Sequence, residues 1–69
     1  MIHLNKIAQF QLFCLEHYKY AEGIKGRDAL NIFNRHLVFN FISDNYEVLH
    51  TQGKQYIISE ISSFINNHQ

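Results

Sequence analysis

The chain has 69 residues, which bounds it to a single domain (1–69) with a modest core. Hydrophobic residues make up 46% of it and aromatics 14%, but charged residues only 17%, and the formal net charge is zero with His neutral. This balance argues against nucleic-acid binding by phosphate neutralisation, which needs a basic stripe, and it favours association with a protein partner, with a second copy, or both, because a weakly charged, apolar-rich surface does little to deter contact.

The chain lacks proline, and its three glycines punctuate it at Gly23, Gly26 and Gly53. Asn5 is placed to cap a first, long helix that runs to about Glu22, with Gly23 as its stop and Ile24 as the apolar residue just beyond. At about 100° per residue, Leu4, Ile7, Ala8, Cys14, Leu15, Tyr18 and Ala21 share one broad face of that helix. Gln11 falls near the middle of this face, as a buried, hydrogen-bonded amide or as a sign that the face is partly wet. A second set, Phe10, Phe13, His17 and Tyr20, follows the spacing i, i+3, i+7, i+10 and points away from the first. Either the helix is central and sandwiched, or it carries an exposed aromatic stripe of the kind that anchors interfaces.

Cys14 is the lone cysteine, so the chain forms no internal disulfide and no Cys-paired zinc site. Lodged among Leu12, Phe13 and Leu15, it reads as a small buried hydrophobe. His17, three residues on, makes a thiol–imidazole pair the alternative, which needs an accessible, electropositive setting. A free Cys, no signal-peptide pattern and no run of about 18 apolar residues point to the cytoplasm and away from a membrane.

The short basic cluster Lys25-Gly26-Arg27 reads as a solvated loop that opens a second helix, ending near Arg35. His36-Leu37 is a tight connection, and a third helix is predicted from Val38 to about Leu49, with Asp44 and Glu47 on its solvated edge. His50-Thr51-Gln52-Gly53 is the second real loop. Structurally, Thr51 is placed to cap the next helix, Gly53 to take positive φ, and His50 to bond a loop carbonyl. Chemically, His50 could act as an acid–base group with Thr51 and Tyr56 in reach, although no nucleophile, second base or close carboxylate pair accompanies it. No two of His3, His17, His36 and His50 stand at i, i+4, so neither a metal nor a cofactor is expected.

The last helix runs from about Lys54 to Asn66, and the tail Asn66–Gln69 is expected to fray. Ile57, Ile58, Ile61, Phe64 and Ile65 form one stripe, with Lys54, Ser59, Glu60, Ser62 and Ser63 outside it. A helix lying on a membrane would carry a Lys/Arg-rich polar face, which this one lacks. The expected architecture is all-α: a compact bundle of about four helices, one long and N-terminal, two short and one C-terminal. Its expected core is Leu15, Leu30, Phe33, Phe41, Leu49, Ile57, Ile61 and Phe64.

Phe13-Cys14-Leu15-Glu16, Tyr18, Gly26, Ala29-Leu30, Phe33, Phe41-Ile42 and Tyr46 lead into the run Val48-Leu49-His50-Thr51-Gln52-Gly53 and then Tyr56-Ile57. From about Phe10 to Ile65 this pattern resembles a family of very short bacterial proteins of unknown function. The resemblance implies a small helical protein, often encoded beside an ADP-ribosyltransferase-like toxin, and hence an antitoxin or immunity role. The chain departs from that family in a third helix and tail rich in Asn and Ser rather than acidic. The expected function is therefore a protein-binding module for such a toxin enzyme, contacting it through Phe10, Phe13, His17 and Tyr20. The alternatives are a regulator that binds nucleic acid through helices two and three as a helix-turn-helix-like pair, and a small enzyme centred on His50.

Overall fold

The computed structural model describes residues 5–67. Among them the chain forms five helices and no strand: α1 Lys6–Glu22, α2 Gly26–Arg35, α3 Val38–Asp44, α4 Tyr46–Leu49 and α5 Lys54–Asn67. The expected all-α bundle is what forms, with the predicted third helix divided in two. No described helix is long and apolar enough to cross a membrane.

Local chemistry fixes the ends of α1. The Asn5 side-chain oxygen accepts from the Ala8 backbone N–H at 2.7 Å, satisfying one of the donors that a helix start leaves unpaired. At the other end Gly23 turns left-handed (φ 65°), so that its N–H reaches the Tyr20 carbonyl while the Ile24 N–H reaches that of Lys19. This paired closure needs a residue that tolerates positive φ, which explains a glycine there.

The connection between α2 and α3 is less conventional. Leu37 has φ 57° and ψ 39° and is the one non-glycine residue with positive φ among those described. Left-handed backbone costs an L-residue roughly 1–2 kcal/mol. Burial on both sides holds it: Phe33 and Val38 are each fully buried and fix where α2 must end and α3 begin. Gly53, by contrast, does not have positive φ, which corrects the expectation that the loop before α5 depends on a left-handed glycine.

Asn45 is where the predicted third helix breaks. Its backbone leaves helical geometry (φ −113°, ψ 16°), and its side-chain Nδ2 donates to the Phe41 carbonyl at 2.8 Å. An Asn side chain competes in this way with the helix ladder, which favours termination. The Asn45 carbonyl then accepts from Val48 and Leu49, opening the single turn of α4.

The core is built from Cys14 and Tyr18 of α1, Ala29 and Phe33 of α2, Val38 and Ile42 of α3, and Ile57, Ile61 and Ile65 of α5. Leu49 is buried as well. Of the expected core, Phe33, Leu49, Ile57 and Ile61 hold their places; Leu15, Phe41 and Phe64 are half-buried around it, and Leu30 is 42% exposed. The reason is packing geometry: Ala29 and Phe33, one turn apart, bring α2 close to α1 and turn Leu30 outward. Phe33 anchors a run of rings, with Tyr18 at 5.4 Å and Phe39 edge-on at 5.2 Å, while Phe41 and Phe64 stack at 4.3 Å between α3 and α5. Gln11 proves to be the hydrogen-bonded amide, donating to the Phe39 carbonyl at 2.9 Å and tying α1 to α3. Ala21 is exposed despite its place on the apolar face, and Leu4 and His3 lie outside the described residues. The tail holds helix through Asn67 instead of fraying from Asn66; His68 and Gln69 lie outside the described residues.

Candidate partner-binding face

The residues of the aromatic stripe are brought together with the His50 loop. Along α1, the His17 imidazole sits 4.3 Å from the Phe13 ring, and Phe13 stacks on Phe10 at 6.0 Å with planes 12° apart. Phe10 meets the Tyr46 ring edge-on at 5.5 Å, and Tyr46 lies flat on the His50 imidazole at 4.4 Å, within 5° of parallel. Five rings thus run without interruption from the second half of α1 to the residue just after α4. The helix break at Asn45 makes this possible, because Tyr46 starts the turn that leans on Phe10.

The face is open to solvent. Phe13 is 39% exposed and Tyr20 is 68% exposed, while Phe10, His17 and Tyr46 are half-buried and His50 is exposed. Central packing of α1 therefore accounts for only part of the stripe: Phe10 packs against the core, and Phe13 and Tyr20 stay accessible. Tyr20 stands beyond the ring series and is flanked by charge. The Lys19 ammonium lies 4.6 Å from the centre of its ring and bonds Glu16 at 2.8 Å. The hydrogen bond to Lys19 holds the Glu16 carboxyl below its usual range, and the same bond raises the Lys19 ammonium above its own. Both side chains are solvent-exposed enough that the pair belongs to the surface.

His50 is held by α4. Its Nδ1 lies 2.6 Å from the Tyr46 carbonyl. A carbonyl only accepts, so Nδ1 carries the proton and the neutral ring keeps its lone pair on Nε2. The expected loop carbonyl is thus one at the start of α4. Thr51 donates its hydroxyl back to the Val48 carbonyl at 2.8 Å and does not cap α5, which starts three residues later. Tyr56 donates to Glu60 at 3.3 Å along the outside of α5. Among the described residues, then, neither hydroxyl is bonded to His50, and the proposed acid–base set is not assembled. Cys14 is likewise unlike a nucleophile: full burial pushes its thiol up to about 12 and keeps it protonated. No group of three or more His, Cys, Asp or Glu able to hold a metal exists among the described residues.

Sequence reasoning placed Phe10, Phe13, His17 and Tyr20 on one side of α1 and treated His50 as a separate loop. It missed that Tyr46 joins them. The signal available was the i, i+4 spacing of Tyr46 and His50, which stacks two rings on one helical face.

No curated protein and no solved structure matches the chain. Residues 9–68 match the family described as Protein of unknown function (DUF3791), a span that contains every residue of the face, and the chain belongs to that family.

Proposed function

We propose that this protein is a small binding module that acts by protein–protein contact through the ring series His17, Phe13, Phe10, Tyr46 and His50 together with Tyr20. The observation that carries the reading is the continuity of that series on a solvent-facing side of the bundle. Rings give large contact area at low entropic cost, and the low charge content of the chain lowers the desolvation penalty of covering the ring series, Tyr20 beside Lys19 excepted. Completing the burial of an aromatic side chain contributes roughly 1.5–3 kcal/mol at most. Two or three such anchors support affinities of about a micromolar. The resemblance at the sequence level supplies the class of partner: a toxin enzyme such as an ADP-ribosyltransferase, held by this face in the bacterial cytoplasm as an antitoxin holds its toxin.

The test is the double substitution Phe13→Ala with Tyr20→Ala. Both side chains are exposed, so helicity and cooperative unfolding are expected to persist. Affinity for an ADP-ribosyltransferase-like toxin that the wild-type protein binds should fall at least tenfold, and any self-association should disappear from sedimentation. A folded double variant with unchanged mass and unchanged affinity would refute the interface. Loss of the fold would show that the stripe is part of the core.

A further inference from the structure

Next to the ring series, a groove of about 480 Å³ opens between α1 and α5. From α1 it is lined by His17, Tyr20 and Ala21; from α5 by Lys54, Gln55, Ile58 and Ser59. Its size falls within the range of small-molecule sites, which run from about 300 to 1,000 Å³. Its existence explains why Ala21, on the apolar side of α1, is exposed: the short side chain leaves a gap that the first turn of α5 does not fill.

The charge in the lining is of one sign. Lys54 contributes an ammonium, while Ser59, Gln55 and His17 each offer a donor; the Tyr20 hydroxyl is already engaged by the Glu16 carboxylate. Among the described residues no carboxylate lines the groove, and the Lys54 ammonium has no carboxylate partner. The groove also opens at the start of α5, whose first turn contains no acidic residue to offset the positive end of the helix dipole. The remaining surface is apolar: the Ile58 side chain, the Ala21 methyl and the Tyr20 ring.

We infer that this groove is a binding site for a small organic carboxylate with an aromatic body. The ring packs on Ile58 and Ala21 beside Tyr20, and the carboxylate pairs with the Lys54 ammonium at the start of α5. A cationic ligand meets like charge there, and a neutral one gains no charge pairing with the ammonium. The inference goes beyond the protein-binding reading and does not depend on it, although the groove shares His17 and Tyr20 with the proposed interface.

The experiment compares three ligands of similar shape on the intact protein by isothermal titration and by amide chemical-shift mapping. They are 2-naphthylacetate, 2-naphthylacetamide and 2-(2-naphthyl)ethylamine. The carboxylate should bind at least tenfold more tightly than the amide or the amine, with shifts centred on His17, Ala21, Gln55 and Ile58. Lys54→Gln, an exposed position, should weaken the carboxylate at least fivefold and erase its advantage over the amide, and Lys54→Arg should retain it. Ala21→Trp should block all binding by filling the gap. Equal binding of carboxylate and amide, an unaltered preference in folded Lys54→Gln, shifts mapped elsewhere, or no carboxylate binding would each overturn the proposal.

Discussion

Two glycines and a leucine carry opposite lessons about backbone cost. Gly23 occupies left-handed space with nothing within 4 Å of an added Cβ, so Gly23→Ala meets conformational strain and no clash. It should destabilise by about 1 kcal/mol in chemical denaturation. Gly53 has equally open surroundings but not the positive φ, so Gly53→Ala should be neutral or slightly stabilising in the same measurement. Leu37 reverses the usual pairing of residue and conformation: a 62%-exposed leucine sits where glycine is at ease. Leu37→Gly should therefore stabilise by roughly 0.5–1 kcal/mol, the relief of left-handed strain outweighing the added freedom of the unfolded chain. A loss of stability would mean that the exposed side chain packs more than its accessibility implies. Of these three positions only the Gly23 stop was legible in the sequence. Gly23 announced itself by following a helical run, but a positive-φ leucine carries no residue signal, and Gly53 looked like a left-handed turn only because it is a glycine.

The elements divide into those that local chemistry defines and one that tertiary contact defines. α1, α2 and α5 were readable because the glycines at 23, 26 and 53 and the apolar spacing agree about their ends, with the Asn5 cap adding to the signal for α1. The buried line of α5 was readable too, since Ile57, Ile61 and Ile65 recur at i, i+4 and i+8, with Phe64 on the flank against Phe41. The separation of α3 from α4 was not readable. Apolar spacing continues across Asn45, and the break is reinforced by what Tyr46 meets on another helix. Asn45→Ala tests this at the scale of the element. It removes the side-chain bond to the Phe41 carbonyl and substitutes a strong helix former, so α3 and α4 should merge into a straighter helix. Far-ultraviolet helicity should hold or rise slightly, while the contact between Phe10 and Tyr46 weakens and partner affinity drops several-fold. Unchanged partner affinity in that variant would separate α4 from the binding face.

At the scale of the whole molecule, the radius of gyration of 11.4 Å is close to the roughly 11 Å expected of a compact chain this long. A domain so small depends strongly on each core group, and two of them titrate on the alkaline side. Burial raises the Cys14 thiol from 9.0 to about 12. Burial, with a smaller contribution from Glu22, also raises the Tyr18 phenol. Both groups bind their protons more tightly folded than unfolded. Their contribution to stability is therefore complete below the unfolded pKa values and is lost as pH rises toward the folded ones. Unfolding free energy should decline from about pH 9 upward, with Cys14 the larger contributor of the two. Cys14→Ala should flatten much of that decline while lowering stability modestly at neutral pH, as followed by denaturant midpoints across the alkaline range. Under native conditions the thiol should resist alkylation at neutral pH and react only on unfolding.

The near-parallel rings of Tyr46 and His50 have a spectroscopic consequence. At 4.4 Å each ring lies within the shielding cone of the other, so their aromatic protons should resonate upfield of their positions in an unfolded chain. With no tryptophan to crowd the aromatic region and only four tyrosines, those resonances should be assignable without isotopic dilution. Any occupant that parts the two rings will move the lines back downfield. The protein thus carries an internal reporter, and occupation of the end of the face near His50 can be followed without attaching a label.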